Sequence, residues 1–467
     1  MLNQTNSQSK PVFQFWLLSG FLLLVFLTGG SARIDVQSLI ILHPAAVLVC
    51  ACALLTLHRT HFLGRKWLVV GFAALCLLPI LHSIPLPSFI WQNLPGREIQ
   101  VEIDAILKMD DVWRPLSLTP DNTLHALASL FVPLAIFLLA VQLNREDLFR
   151  LLPVLISLGA ISGLFGLFQL AGSANGPLYL YRITNEGAAV GLFANRNHAA
   201  TLLACLFPLL ACFASTGVAA PNKPHMRAII AIAVAIILVP LVLVTGSRSG
   251  LVVAVIGIAA APFLYSKPIT GRPVRAGKPR FQFRSVPFLG GLALMCLVFL
   301  SVFFSRATAF TRLFNESNFE AGRAEFWTAS ADIAAKYFPF GSGIGSFVEV
   351  YQINEPSKLL YASYLNHAHN DYLETILTAG FGGVMFIVAV IAGFTITTLR
   401  AWRSSNRTSR AIRIAKTASV GLLIMAFASF TDYPLRTPIM MAVAVILVLW
   451  LTDWQRKGVK PAAEESR

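Results

Sequence analysis

The chain has 467 residues, of which 56% are hydrophobic and only 13% are charged, and its mean hydropathy is +0.68. A soluble globular domain carries about 25% charged residues, so this composition excludes an ordinary soluble protein and indicates a membrane protein. The formal net charge is +15. In a soluble protein that charge would suggest nucleic-acid binding, whereas in a membrane protein it arises from topology.

Apolar runs recur along the whole chain, and each is long enough to cross a bilayer as a helix of about 17–25 residues. The first run follows Lys10 and resembles a signal peptide, but the many runs after it favour an uncleaved first helix. The predicted fold class is therefore all-α and polytopic. We place about twelve transmembrane helices, at 12–29, 37–57, 67–84, 124–143, 151–171, 199–215, 228–245, 250–266, 286–304, 372–399, 417–430 and 438–454.

The basic residues concentrate in alternate loops. With the N-terminus inside, nearly two-thirds of the 37 lysines and arginines lie on the inner side, many of them in 267–284 and 400–416. By the positive-inside rule both termini are cytoplasmic, and binding of nucleic acid is not expected. The long segments 85–122, 172–198 and 305–370 then lie outside, and the last is expected to contain short helices. Long loops on one face commonly carry function.

The cysteines predict neither disulfides nor a zinc site, because all of them fall in apolar spans and none has metal-ligand spacing. They are Cys50, Cys52, Cys76, Cys205, Cys212 and Cys296.

Two arginines stand beside glycines on the predicted outer side. Arg248 lies in a short turn between two spans, and Arg323 opens a predicted amphipathic helix that runs to about Tyr337. A guanidinium at the membrane surface binds phosphate oxygens in a fork. Two other interpretations stay open: Arg248 extends to the interface without a ligand, and Arg323 forms a surface ion pair with Glu320 or Glu325.

The most suggestive segment is Asn-His-Ala-His-Asn-Asp-Tyr at 366–372, at the outer mouth of the tenth span. Histidine exchanges a proton near neutral pH, and a carboxylate such as Asp371 or Glu374 would orient it and raise its basicity. A metal site is an alternative, but a fourth ligand is missing from the pattern. Histidines that merely cap the helix start are a third interpretation.

A further polar group precedes the sixth span. Arg196 and His198 would add cationic contacts, although Asn195 and Asn197 are equally suited to cap a helix. Asp432, after the eleventh span, faces the same side.

Together these motifs resemble the O-antigen ligase superfamily, which includes O-antigen ligases and polysaccharide polymerases. The resemblance covers about Phe193 to Pro438, and His369-Asn370, followed by Gly-Phe-Gly-Gly at 380–383, is its most specific part. Twelve spans with a large outer loop fit the same family. The other matching segments are 195–198, 246–250, 322–327 and 340–345.

The resemblance implies a metal-independent, inverting glycosyltransferase without a cofactor. It would move a glycan from undecaprenyl diphosphate to an acceptor hydroxyl, such as that of lipid A–core or a growing polysaccharide. His369 would be the general base, while Arg248 and Arg323 would bind the diphosphate. We expect substrate contacts from the neighbouring polar side chains Arg196, His198, His367, Asn370 and Asp371.

The family also implies an organisation and a place in the cell. We expect an N-terminal transmembrane region at 1–192, a ligase-like core at 193–440, and a last helix with a cytoplasmic tail at 441–467. The protein would lie in the bacterial inner membrane with its site at the periplasmic face. Ligase and polymerase stay open, as do the sugar, the linkage and the oligomeric state. In other classes, a polysaccharide transporter or flippase and a non-catalytic scaffold of polysaccharide assembly are the alternatives.

Overall fold

A computed structural model describes residues 12–109, 111–174, 176–216, 224–266, 323–360, 364–406 and 409–455. This part of the chain is mostly helical with almost no strand, in agreement with the predicted fold class. Its helices are α1 (Phe13–Thr28), α2 (Leu39–Leu55), α3 (Lys66–His82), α4 (Ser88–Trp91), α5 (Glu98–Leu107), α6 (Pro120–Ser129), α7 (Phe131–Ala140), α8 (Arg145–Ala171), α9 (Arg196–Thr216), α10 (Pro224–Val244), α11 (Arg248–Leu264), α12 (Arg323–Tyr337), α13 (Phe347–Asn354), α14 (Asp371–Arg403), α15 (Arg410–Thr431) and α16 (Pro438–Asp453). Short 3₁₀ turns occur at Arg59–Phe62, Ser357–Leu359 and Pro434–Arg436.

Six helical stretches among the described residues are long and apolar enough to cross a membrane: Pro120–Ala140, Arg145–Ala171, Arg196–Thr216, His225–Val244, Asp371–Arg403 and Arg410–Thr431. The shorter apolar helices are α1, α2, α3, α11 and α16. Each predicted span coincides with one of these stretches, except that 286–304 lies outside the described residues. The chain is thus a multi-pass membrane protein, and the full count of twelve spans stays a prediction.

Helix α9 forms the centre of the bundle. In its most apolar stretch 94% of the residues are buried, because α9 packs against α8, α10, α11 and α15. Small residues allow the closest of these contacts, because a Cβ added to Gly257 of α11 would lie 2.6 Å from the Ala204 carbonyl oxygen of α9. Helices α9 and α11 begin at the same end of the bundle, which we call the outer end in keeping with the predicted topology.

The outer end is built from two segments that are distant in the chain. The first segment follows α3, and its ends are joined by a two-stranded antiparallel ribbon of β1 (Pro85–Leu86) and β2 (Arg114–Pro115). The residues after β2 bind the second segment, which is the turn between α12 and α13. The Leu118 amide donates to the Ser342 carbonyl over 2.9 Å, and the Thr123 hydroxyl donates to the Ile344 carbonyl over 2.7 Å. Residues 114–123 therefore support the turn that connects α12 to α13.

A kink in α14 shapes the same region. Gly380 has φ 55° and ψ −137°, which only glycine adopts readily. The kink lets the Phe381 amide donate to the Pro339 carbonyl over 2.7 Å, and a side chain at Gly380 would collide with that carbonyl. The first glycine of the Gly-Phe-Gly-Gly motif thus lets the turn after α12 lie against α14.

Candidate active site

His369 and Asp432 form the central pair of the outer end. His369 Nδ1 lies 3.1 Å from Asp432 Oδ1. Asp432 directly follows α15, and only 1% of its surface is exposed. From the sequence, a local carboxylate, Asp371 or Glu374, was expected to orient the histidine. For His369 that expectation is wrong, because the carboxylate comes from the next transmembrane helix.

The backbone of His369 is itself unusual. Its φ of 50° lies in the left-handed region, which residues other than glycine seldom adopt. Such conformations persist only where surrounding contacts hold them, and they cluster at functional sites. The next residue, Asn370, caps α14: its side-chain oxygen accepts from the amides of Tyr372 and Leu373 at 3.1 and 3.0 Å. A substrate contact of Asn370 stays a prediction.

Asp432 also accepts hydrogen bonds from side chains at the start of α9. The side-chain amides of Asn195 and Asn197 both donate to Asp432 Oδ2, the former over 3.3 Å. His198 Nε2 lies 3.7 Å from Oδ1. Burial alone would raise the pKa of Asp432, but the charge of His369 and the contacts with both histidines hold that pKa well below its ordinary value. The carboxylate is therefore ionised at neutral pH.

A further hydrogen bond connects this network to the start of α11. The Ser247 hydroxyl donates to Asn197 Oδ1 over 2.7 Å and also caps α11 by accepting from the Gly250 amide over 2.9 Å. Arg248, the next residue, is the first of α11 and is half-buried. The structure thus links Arg248 to His369 through Ser247, Asn197 and Asp432.

Arg323 lies at the first position of α12, as predicted, and that helix ends at Tyr337. The structure describes the backbone of Arg323, which places it one turn before Trp327. The Trp327 indole donates to the Ala368 carbonyl over 3.1 Å. The beginning of α12 therefore lies beside the segment that carries His369.

A second histidine–carboxylate pair lies behind the first. His367 Nδ1 is 3.0 Å from Glu374 Oε1, and Arg436 contacts both Glu374 and Asp371, at 3.0 and 2.9 Å. Glu374 therefore orients a histidine as expected, although that histidine is His367. Asp371 is occupied by Arg436, and its predicted substrate contact stays untested.

Tyr433 packs among all three imidazoles. Its ring centroid lies 4.3, 4.9 and 5.0 Å from those of His367, His198 and His369. His198 is 1% exposed, so it is a buried part of the network. Arg196 begins α9 and is half-buried, and its amide donates to Asn185 Oδ1 over 2.9 Å.

Sequence reasoning did not assign site roles to the residues that join the cluster across helices. Asp432 offered one signal, an acidic residue at the outer end of a span. The other members, Asn195, Asn197, Ser247, Tyr433 and Arg436, look like ordinary capping or interfacial residues in the sequence.

Comparison with known proteins agrees with the motifs. A family model described as O-antigen ligase matches residues 232–388, whereas a search of curated proteins found no match. The matched region contains Arg248, Arg323 and His369, but it ends before Asp432 and begins after Asn197. It is also narrower than the predicted core of 193–440. The match over residues 232–388 therefore confirms the resemblance of this membrane protein to the O-antigen ligase superfamily.

Proposed function

We propose that this protein is a glycosyltransferase of the bacterial inner membrane. It moves a glycan from undecaprenyl diphosphate to an acceptor hydroxyl at the periplasmic face. The matched domain supports an O-antigen ligase- or polymerase-like membrane enzyme. One observation carries the finer proposal: His369 and Asp432, in hydrogen-bond contact at 3.1 Å, lie where several transmembrane helices begin.

The convergence of helix starts suits a diphosphate. Hydrogen bonds through Asn197 and Asp432 bring together the N-termini of α9, α11 and α14. Backbone amides and the helix dipole make such termini favourable for anions. Arg196, Arg248 and Arg323 are the first residues of α9, α11 and α12. Guanidinium groups at these positions would add the forked contacts that phosphate oxygens prefer.

The His369–Asp432 pair suits the removal of one proton. With the Nδ1 proton directed at Asp432, Nε2 is the basic nitrogen of the neutral ring. In the proposed step Nε2 takes the proton of the acceptor hydroxyl as its oxygen bonds to the anomeric carbon. The bond from that carbon to the diphosphate oxygen breaks, and its electron pair leaves with the diphosphate. Asp432 stabilises the imidazolium that forms.

The remaining requirements of the reaction are modest. A glycosyl diphosphate is already activated, so positioning, one base and neutralisation of the leaving group supply the catalysis. In this scheme Arg248 and Arg323 bind the departing diphosphate. The polyprenyl tail would remain in the bilayer beside the apolar helix surfaces. Because Asn197 and Asp432 lie outside the matched region, we also propose that the functional core extends over 193–440.

The test is transfer by purified protein in vesicles with a lipid-linked glycan donor and an acceptor glycolipid. His369→Ala is expected to reduce transfer by about 10²- to 10⁴-fold, the range of general-base contributions. His225→Ala, at the exposed inner start of α10, is the matched control and should transfer like the wild type. Wild-type transfer by His369→Ala would overturn the role of His369 as the base, whereas absence of transfer by the wild-type protein itself would favour a scaffold or transporter.

Ligation and polymerisation share this chemistry and differ in the acceptor. A deletion strain distinguishes them by its surface glycan and its lipid-linked glycan. Lipid-linked polymer that accumulates without surface attachment indicates a ligase. Loss of long polymer, with single repeat units remaining, indicates a polymerase.

A further inference from the structure

We infer that Trp327 is a positioning residue for His369, through the peptide that joins Ala368 to His369. The inference rests on the proposed function, because it assigns His369 the task of holding a base at a defined place. Trp327 belongs to α12, whereas His369 directly precedes the cap of α14 and Asp432 follows α15.

The Ala368 backbone is held on both sides. Its carbonyl accepts from the Trp327 indole over 3.1 Å, and its amide donates to Glu374 Oε2 over 2.9 Å. Ala368 is 1% exposed, so these two partners replace water. The carbonyl belongs to the same peptide plane as the His369 amide, and the Trp327 bond therefore fixes the orientation from which the His369 backbone continues.

His369 needs such support because its φ of 50° is disfavoured for a residue with a Cβ. A change of φ at this residue would swing the imidazole away from Asp432. The contacts of Ala368 fix the peptide on the N-terminal side of that rotation, so the change is opposed wherever the C-terminal side is held as well. On the other side, the Asn370 cap fixes the beginning of α14.

Trp327 also contacts the segment that carries the partner carboxylate. Its ring packs edge-on against Phe430, with centroids 5.7 Å apart and planes at 71°. Phe430 precedes Asp432 by two residues. The same indole thus contacts Ala368, which precedes His369, and Phe430, which lies two residues before Asp432. Trp327 also lies one helical turn after Arg323. It couples the helix start that would bind donor phosphate to the proposed base.

The experiment removes the indole N–H and measures transfer kinetics. Trp327→Phe is expected to lower kcat by about 10- to 100-fold, as displacement of a catalytic group by about 1 Å does, while KM for the donor changes less than kcat. The matched control is Trp450→Phe at the inner end, which removes an equivalent indole-to-carbonyl hydrogen bond, Trp450 to Leu148 at 3.0 Å. That control should keep the wild-type kcat.

Two further measurements separate positioning from general stability. Replacement of Trp327 by benzothienylalanine keeps the ring shape and the Phe430 contact but has sulfur in place of N–H, and it should reproduce the kcat loss of Trp327→Phe. The combination with Asp432→Asn should be less damaging than the product of the single effects, because both changes act through one imidazole.

A wild-type kcat in the benzothienylalanine protein, or strictly multiplicative effects with Asp432→Asn, would overturn the role of Trp327. Failure of the proposed function has a different signature, because the wild-type protein would then show no transfer at all, and failure of the base assignment would show as wild-type transfer by His369→Ala.

Discussion

The Ser247 hydroxyl donates a hydrogen bond to Asn197 Oδ1 over 2.7 Å and so joins the first turn of α11 to the first turn of α9. Asn197 in turn donates to Asp432. This small connection relates an arginine at position 248 to a histidine at position 369, although more than a hundred residues separate them. It has a consequence for activity as well as for stability.

Ser247→Ala should destabilise the protein by about 1 kcal/mol, the usual effect of losing an N-cap, and should also lower transfer about tenfold by releasing Asn197 and the start of α11. Transfer assays and thermal unfolding measure the two effects. Asn144→Ala is the matched control, because Asn144 caps α8 at the inner end, where its side-chain oxygen accepts from the Asp147 amide over 2.8 Å. It should lose similar stability and no transfer. Equal activity losses in both variants would contradict the link.

Asp432→Asn tests the central pair. The asparagine keeps the shape but cannot hold the His369 tautomer or stabilise the imidazolium, so transfer should fall by about 10²- to 10⁴-fold. Protein yield and unfolding temperature at pH 7 show whether the variant folds. If folded Asp432→Asn transfers at the wild-type rate, the carboxylate has no part in the reaction.

The depressed pKa of Asp432 also predicts a dependence of stability on pH. Burial raises this pKa, while His369 and His198 lower it by a larger amount, so the folded-state pKa lies below 3.8. A carboxylate with a lowered folded-state pKa stabilises above its unfolded pKa and loses that contribution as pH falls through the folded value. The stability difference between wild type and Asp432→Asn should therefore shrink as pH falls below about 4. Thermal unfolding in nanodiscs from pH 5 to 3 measures it, and a difference that grows as pH falls below about 4 would contradict the sign.

Arg248→Lys should transfer poorly even though the charge is kept. Lysine cannot reproduce the planar fork of guanidinium on a diphosphate, so we expect about a tenfold loss that appears in the KM for the lipid-linked donor. Arg59→Lys, at an exposed arginine of the inner end, should behave as the wild type. An unchanged KM for Arg248→Lys would show that the arginine contributes only its charge.

The transmembrane architecture was accessible from sequence because each apolar run must satisfy its own backbone in lipid. Hydropathy alone located every described apolar helix, although α8 and α15 begin six and seven residues before their predicted starts. The start of α12 at Arg323 was also predicted, since its polar and apolar residues alternate at helical spacing. These are local properties of the chain.

The pairing of histidines with carboxylates in the site could not be predicted from the sequence in the same way. His369 has Asp371 and Glu374 as near neighbours in sequence, yet its carboxylate is Asp432. The first turn of α14 directs Glu374 to His367 and to the Ala368 amide, and the left-handed turn at His369 directs its ring to the adjacent helix. Which carboxylate faces which imidazole depends on helix packing and on one backbone angle, and neither leaves a pattern in a single sequence.

The inner end carries a buried ion pair that should govern stability without affecting catalysis. Arg65 Nη2 lies 3.1 Å from Asp453 Oδ1, with side chains 1% and 2% exposed, and Arg145 contacts the other carboxylate oxygen at 2.9 Å. Asp453→Asn leaves a buried guanidinium without its counter-charge, so the free energy of unfolding should fall by about 3–5 kcal/mol. Glu146→Gln disrupts the exposed Arg410–Glu146 pair and should cost at most about 1 kcal/mol. Unfolding in nanodiscs compares the two variants, and transfer per folded molecule should match the wild type in both. A stability loss no larger for Asp453→Asn than for Glu146→Gln would show that water or lipid headgroups solvate Arg65.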